Sequence, residues 1–284
     1  MNIISIHIFP HELNNYERIV DRLNISMFNL NVNDIEVWVT LNLNKTILDF
    51  KKISDIDLIT EQFKNTTNKL VVKYKLRINL QDDFLGVNEH RIETINNSNI
   101  NDYIMFLDSD LFFNHNLLKK HIEYAHLLKQ ENKLFIITPQ CIRLWDATWD
   151  CIVNMNFLKK PLGYYKKVDP REITKKTYGN LSLNKLSKFK WANGWFTGMS
   201  AELAKLVNIP KSFKGYGPDD TYMMECCKLL KQKNYDINQY TIRGLVVCED
   251  ISFRNNFFKK DIPNFRQNCN RLFNQELETF RKRI

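Results

Sequence analysis

Through the first 140 residues, short apolar runs alternate with stretches whose apolar side chains recur at helical spacing, which leaves few folds open to the chain. Residues 2–9 (NIISIHIF) are rich in β-branched side chains and end at Pro10, so they read as a buried first strand. Ile19, Leu23, Met27 and Leu30 place an apolar face on a helix over 14–29. The alternation of 34–41 (DIEVWVTL) predicts a second strand, and 69–78 (KLVVKYKLRI) a third. Gly86 opens a helix to about Ile95, 102–107 (DYIMFL) is a strand, 115–129 a helix, and 133–138 (KLFIIT) a strand stopped by Pro139. Strands and helices in turn predict an α/β sheet, in which a ligand lies off the carboxyl ends of the strands.

Residues 140–190 have no clear period and read as long loops with short elements. Helices at about 200–207 and 219–232, a strand over 241–248 and a helix at about 264–282 follow. With no internal repeat and no low-complexity linker, one domain over 1–284 is expected. Its 44% hydrophobic and 26% charged residues are those of a globular chain and argue against disorder. Gly (8) and Pro (7) are too scarce for a collagen-like protein. No apolar run approaches the roughly 20 residues of a membrane span, and MNIISIHIFP lacks the features of a signal peptide. Six cysteines without a CxxC pair suggest neither a disulfide framework nor a zinc site. The expectation is a cytoplasmic protein with reduced thiols.

The formal charge of +9 is carried by the second half. Between 159 and 190 stand ten basic residues, among them Lys159, Lys160, Lys166, Lys167, Arg171 and Lys175, opposed only by Asp169 and Glu172. Such a run is either a solvated face or a segment that meets phosphates or a polyanion.

Two stretches carry chemistry. In Phe106-Leu107-Asp108-Ser109-Asp110 an apolar strand runs into two carboxylates one residue apart. Residues i and i+2 of an extended chain point the same way, so both can approach one hard cation such as Mg²⁺. The second is Gly194-Trp195-Phe196-Thr197-Gly198, followed by Gly215-Tyr216-Gly217-Pro218-Asp219-Asp220. Pro218 suits the start of a helix, and Asp219 and Asp220 then fall in its first turn, where the dipole favours acids. This is an ordinary helix start, or else a carboxylate base beside a pocket walled by Trp191, Trp195 and Tyr216, whose flat faces suit a sugar ring.

Taken in order, these stretches resemble the GT-A fold glycosyltransferases. FLDSD looks like the DxD motif of that fold, and Gly86-x4-Arg91 resembles the Gly…Ala-Arg-Asn helix of its family 2 enzymes. GWFTGMSAEL with FKGYGPDD looks like the Gly-Gly-Phe…Trp-Gly-Gly-Glu-Asp pattern of galactosyltransferase-like members. The resemblance spans roughly residues 86–250. It implies a Rossmann-like, mixed and mainly parallel sheet flanked by helices, with 1–140 as the nucleotide-sugar half and 141–284 as a loop-rich acceptor half. It implies Asp108 and Asp110 on Mn²⁺ or Mg²⁺, with Asp110 the direct ligand. It makes Asp220 the general base, Asp219 the acid that holds an acceptor hydroxyl, Arg91 a neighbour of the nucleotide, and Gly194, Trp195 and Phe196 a lining for the donor sugar. The donor it implies is a nucleotide sugar, a UDP-sugar first, and the product is inverted.

The sequence departs from the pattern twice. All six histidines lie at or before His126, so the C-terminal metal-binding His of many relatives is absent, and Cys248-Glu249-Asp250 stands at that spacing. Glu249 or Asp250 is then the third oxygen ligand, or both are part of an acidic strand end facing water. Thr40-Leu41-Asn42 stands where relatives have an Asp near the base. Pro10 and His11, after the first strand, fit a cap on the nucleotide, and His11 equally fits an ordinary strand end. Arg143, Trp145 and Trp149 suit either an acceptor site or packing. Cys226-Cys227 reads as core. If the basic run is not simply a solvated face, it fits a polyanionic hydroxyl acceptor, such as modified DNA or a charged polysaccharide. A nucleic-acid-binding protein without catalysis and a nucleotidyltransferase remain as alternatives; the first leaves both acidic motifs unexplained.

Overall fold

Strand β1 (Asn2–Ile8) is buried along its whole length, as its run of isoleucines predicts. The computed structural model describes residues 1–49, 53, 55–131, 134–142, 169–190, 194, 196–215, 217–249 and 262–284. Parallel to β1 lie β2 (Ile35–Asn42) on one side and β4 (Tyr103–Leu107) on the other, with β3 (Lys73–Asn79) beyond β2. Past β4, strand β8 (Phe196–Ser200) runs antiparallel to both β4 and β6 (Leu134–Ile142). The long β9 (Ile237–Glu249) is parallel to β6, and β5 (Leu111–Phe113) and β7 (Ser182–Lys185) pair antiparallel with β9. The result is a nine-stranded mixed sheet in the order β3-β2-β1-β4-β8-β6-β9-β5, with β7 also on β9.

Helices cover both faces because successive strand residues point to opposite sides. Ile4, Ile6, Val37, Val39, Met105 and Leu107 meet α1 (Leu13–Ser26) and α4 (His115–Glu131). Ile104, Phe106 and Ile136 instead meet α3 (Val87–Asn97), α6 (Ala201–Val207), α7 (Asp219–Gln232) and the end of α8 (Ile262–Arg283). Each such aliphatic or aromatic side chain, fully buried, contributes about 1.5–3 kcal/mol. Cys226 and Cys227 lie in this second layer, as read from the sequence. Among the described residues no helix is long and apolar enough to cross a membrane.

The structure corrects several boundaries. Pro139 does not stop its strand. The register of β6 against β9 shifts between Pro139 and Gln140, an irregularity of the kind that accommodates a residue with no N–H to give. The third strand begins at Lys73, because helix α2 (Ile56–Thr67) precedes it and Lys69 and Leu70 close the turn that follows. Strands β5 and β8 were not expected from pattern, being only three and five residues long. Phe196, read with the sugar-lining segment, is fully buried against Phe113 and His121. In the described part of the loop-rich stretch, α5 (Pro170–Lys175) and β7 are the short elements.

Candidate active site

Helix α3 starts where two backbones nearly touch. A Cβ on Gly86 would lie 3.1 Å from the Cα of Gly215, and Gly215 itself has φ +64°, a left-handed conformation that favours glycine. The Glu89 carboxylate fastens the contact, accepting from Gly86 N at 2.9 Å and from Gly215 N at 3.1 Å. Burial raises the Glu89 pKa, and these backbone donors oppose the shift. The loop carrying Gly215, Gly217 and Pro218 is thus held to the N-terminus of α3, and it delivers Asp219 and Asp220 to the first turn of α7.

Arg91, one turn further along α3, joins the two acidic motifs. Its guanidinium donates to Asp219 Oδ2, to Asp108 Oδ1 at 3.1 Å and to the carbonyl of Gly194 at 2.7 Å. It also lies over the Phe106 ring at 5.2 Å. Burial works against the Arg91 charge, but Asp219 and Asp108 outweigh it and leave its pKa raised. Asn88, on the same face of α3, donates to Asp219 Oδ1 at 3.0 Å and accepts from Gly217 N at 2.8 Å, the amide orientation its neighbours require. Asp219 is therefore buried with both oxygens engaged, while 35% of the Asp108 side chain stays open.

Asp220 is placed differently. It is only partly buried; its Oδ1 accepts from the backbone and hydroxyl of Thr221 at 2.6 and 3.2 Å, and its Oδ2 from Gly194 N at 3.4 Å. Desolvation and the neighbouring Asp219 charge raise its pKa, with Arg91 and the backbone donors pulling the other way. A partly open carboxylate with a raised pKa is suited to taking up a proton.

A polar ladder runs beneath the carboxyl ends of the first three strands. Asn79 donates to Asn42 at 3.1 Å, and Asn42 meets His7 at 3.3 Å. His90 bridges Thr40 at 3.0 Å and Ser5 at 2.8 Å. Burial lowers the pKa of His7 and brings that of His90 to about 3, so both rings are neutral. The Thr40 hydroxyl is thereby engaged inside the fold. Pro10 is buried in a 3₁₀ turn (Pro10–Glu12) directly after β1, where Glu12 accepts from Phe9 N at 2.7 Å. Asn88, Glu89 and His90 escaped the sequence reading because their partners stand far along the chain. The only local hint was the i,i+3 spacing of Asn88 and Arg91.

Asp108 and Asp110 sit at the junction of β4 and β5, and Asp110 is buried. Between them the Ser109 hydroxyl is buried with no hydrogen-bond partner among the described residues. Two carboxylates at a strand end are oxygen donors of the kind a hard divalent cation takes, so Asp108 and Asp110 fit Mg²⁺ or Mn²⁺. The β5–β9 register sets Leu111 opposite Glu249, which brings that backbone position beside Asp110. Among the described residues no three His, Cys, Asp or Glu side chains gather as a metal-holding group. The side chain of Glu249, and Trp191, Trp195, Tyr216, Asp250, Arg143, Trp145, Trp149 and Lys159–Lys167, lie outside the described residues.

In sequence, no family profile and no curated protein matches the chain. In structure, TarS residues 1–349 from S. aureus overlap with a TM-score of 0.46 at 13% identity, covering 85% of this chain and 60% of that one. GalNAc-T7 with UDP, GalNAc and Mn²⁺ overlaps at 0.44 and 10% identity, over 88% of this chain and 43% of that one. UDP-glucose pyrophosphorylase complexed with UDP-glucose overlaps at 0.40 and 9% identity, over 96% and 98%. The chain thus spans about 60% of the TarS fragment's length.

Proposed function

We propose that this chain is a metal-dependent glycosyltransferase of the GT-A type, moving a sugar with inversion from a nucleotide-sugar donor, a UDP-sugar first, to a hydroxyl acceptor. The observation that carries the reading is the bridge through Arg91, which gathers Asp108 of the strand-end pair and Asp219 of the helix-start pair into one site with Asp220 beside them.

In this reading Asp220 is the base. As the acceptor oxygen bonds to the anomeric carbon, the bond from that carbon to the diphosphate oxygen breaks and its electron pair leaves with the diphosphate. The acceptor proton passes to Asp220. Gly194 N and Thr221 orient the Asp220 carboxylate, and its raised pKa makes it a stronger proton acceptor than an ordinary aspartate. Arg91 fixes Asp108 and Asp219 and, through the Gly194 carbonyl, the segment that lines the donor. Asp108 and Asp110 would hold the Mg²⁺ or Mn²⁺ ion, which supplies charge neutralisation for the departing diphosphate. Pro10 and the ends of β1 and β2 border the nucleotide.

The test is release of free nucleoside diphosphate from a panel of nucleotide sugars, with Mn²⁺ or Mg²⁺ and with EDTA. Metal-dependent release from one donor is the expected result and names the sugar. Silence across the panel, with no nucleotide binding by calorimetry, would overturn the assignment and return the basic second half to an anion-binding role.

A further inference from the structure

The first turn of α3 grips the loop that leads into α7 at alternate residues. Gly215 is held by both of its backbone groups. Its N–H donates to the Glu89 carboxylate at 3.1 Å, and its carbonyl accepts from Asn88 N at 3.1 Å. That Asn88 N–H is one of the four that a helix start leaves without a partner inside the helix. Gly217 N donates to the Asn88 side chain at 2.8 Å, and the same amide donates to Asp219 Oδ1 at 3.0 Å. Arg91 takes the other Asp219 oxygen. On the α7 side of the loop Phe213 is fully buried against Tyr222, with ring centroids 5.3 Å apart. Asp220 itself bonds to Thr221 and Gly194, and it is related to α3 through Asp219 and this loop.

We infer that Glu89 is a positioning residue for the proposed base: by holding Gly215 to α3 it fixes where Asp220 stands, and it does so as a hydrogen-bond acceptor of set length rather than as a charge. Its Oε2 alone accepts from both Gly86 N, at 2.9 Å, and Gly215 N, at 3.1 Å. A single oxygen at that place therefore keeps both backbone donors satisfied, and a buried N–H left without an acceptor is costly. Burial already disfavours the charge on this carboxyl. A reacting group displaced by about 1 Å can lose about 10²-fold in rate. The donor side of the site is tied separately, through the bonds of Arg91 to Asp108 and to the Gly194 carbonyl. Loosening the loop should thus slow the chemistry and spare the donor. The role in catalysis rests on the glycosyltransferase reading; the clamp on Gly215 does not.

The experiment compares Glu89→Gln, Glu89→Asp and Glu89→Ala with wild type in the full chain. Glu89→Gln keeps the length and an acceptor oxygen; Glu89→Asp keeps the charge and is one methylene short. Melting temperatures are taken first, then hydrogen–deuterium exchange of peptides containing Gly215 and Gly217, without nucleotide sugar or metal. Michaelis kinetics of diphosphate release follow, with Mn²⁺ and the nucleotide sugar that wild type turns over. In Glu89→Ala and Glu89→Asp we expect kcat to fall about tenfold to 10²-fold, KM to stay within about twofold of wild type, and the loop to exchange faster. Glu89→Gln should recover both the rate and the slow exchange. The opposite order, with Glu89→Asp active and Glu89→Gln impaired, would make charge the requirement and overturn the inference. A rise in KM as large as the fall in kcat, or a wild-type kcat in Glu89→Ala, would overturn it too. Should Glu89→Ala fail to fold, the Asp and Gln variants decide. Unchanged exchange in Glu89→Asp would overturn the clamp itself. If exchange follows the expected order while wild type turns over no donor, the clamp stands and the glycosyltransferase reading fails.

Discussion

Arg91 and Asp219 stand 128 positions apart, yet they form an ion pair in which each side chain is only about 5% exposed. A buried pair of this kind is costly to break from one side, because the remaining charge is left without compensation. The pair therefore sets what substitution at this centre does.

Asp220→Asn removes the proposed base and keeps the shape of the first turn of α7. Turnover should fall about 10²- to 10⁴-fold, the range of general-base catalysis, while donor affinity by calorimetry stays within about twofold of wild type. Near-normal turnover would remove Asp220 from that role.

The pH profile tests the electrostatics around that carboxylate. Asp220 must be ionised to act, and desolvation with the Asp219 charge raises its pKa. The acid limb of kcat/KM should therefore lie above the ordinary aspartate value of 3.8. Asp219→Asn removes a negative neighbour and should move the limb to lower pH. Arg91→Gln removes a positive one and should move it higher. Shifts of the same sign in both variants would contradict this account.

Asp110→Asn should abolish metal-dependent diphosphate release while leaving the melting temperature close to wild type, since the substitution keeps the volume. Metal-dependent release at the wild-type rate would exclude Asp110 as a ligand.

Gly194→Ala asks how tightly the Arg91 bridge is packed. A Cβ at this position would intrude on the Arg91 guanidinium, so either the bridge or the Gly194 segment must move. A loss of about 1–3 kcal/mol in stability is expected, as for overpacking elsewhere, together with weakened donor binding. Wild-type behaviour in both denaturant melts and donor titration would show that the segment yields freely.

Stability should also fall in mild acid. Burial holds His90 and His121 at about 3 and His7 well below 6.5, so these rings stay neutral in the folded protein and take up protons on unfolding. Their contribution is present above pH 6.5 and is lost as pH falls below it, at about 1.4 kcal/mol per pH unit for each ring. Glu89 and Asp220, raised by burial, act in the opposite sense once the pH nears the carboxylate range. Urea midpoints at pH 7.5 and 5.5 check the sign; a higher midpoint at 5.5 would refute it.

Much of this centre was legible in the sequence because its signals are local. The β-branched run of β1, the apolar strand ending at Asp108 and the Pro-Asp-Asp helix start each declare themselves within a few residues. What pattern reading lost was either too short or too distant. Strand β8 has five residues, and its antiparallel place between β4 and β6 is set by partners 60 to 100 positions away. Asn88, Glu89 and His90 look like ordinary helix residues, and only the return of Gly215–Asp219 and the approach of Thr40 give them roles. Pro139 misled because a proline that ends one strand is tolerated at a bulge in another.

The position of β8 also bears on how the protein is made. A ribosome releases β4 and β6 long before Phe196–Ser200 emerges to fill the gap between them, so the nascent β1–β4 sheet carries an unpaired inner edge on β4, β6 has no strand partner until β8 and β9 follow, and a buried-to-be arginine lacks its counter-ion. The inner strand, the ion pair and the site then arrive together, late in translation. A product stopped at residue 142 would leave the ribosome as an adhesive half-sheet that a chaperone or protease must meet, rather than as a folded unit.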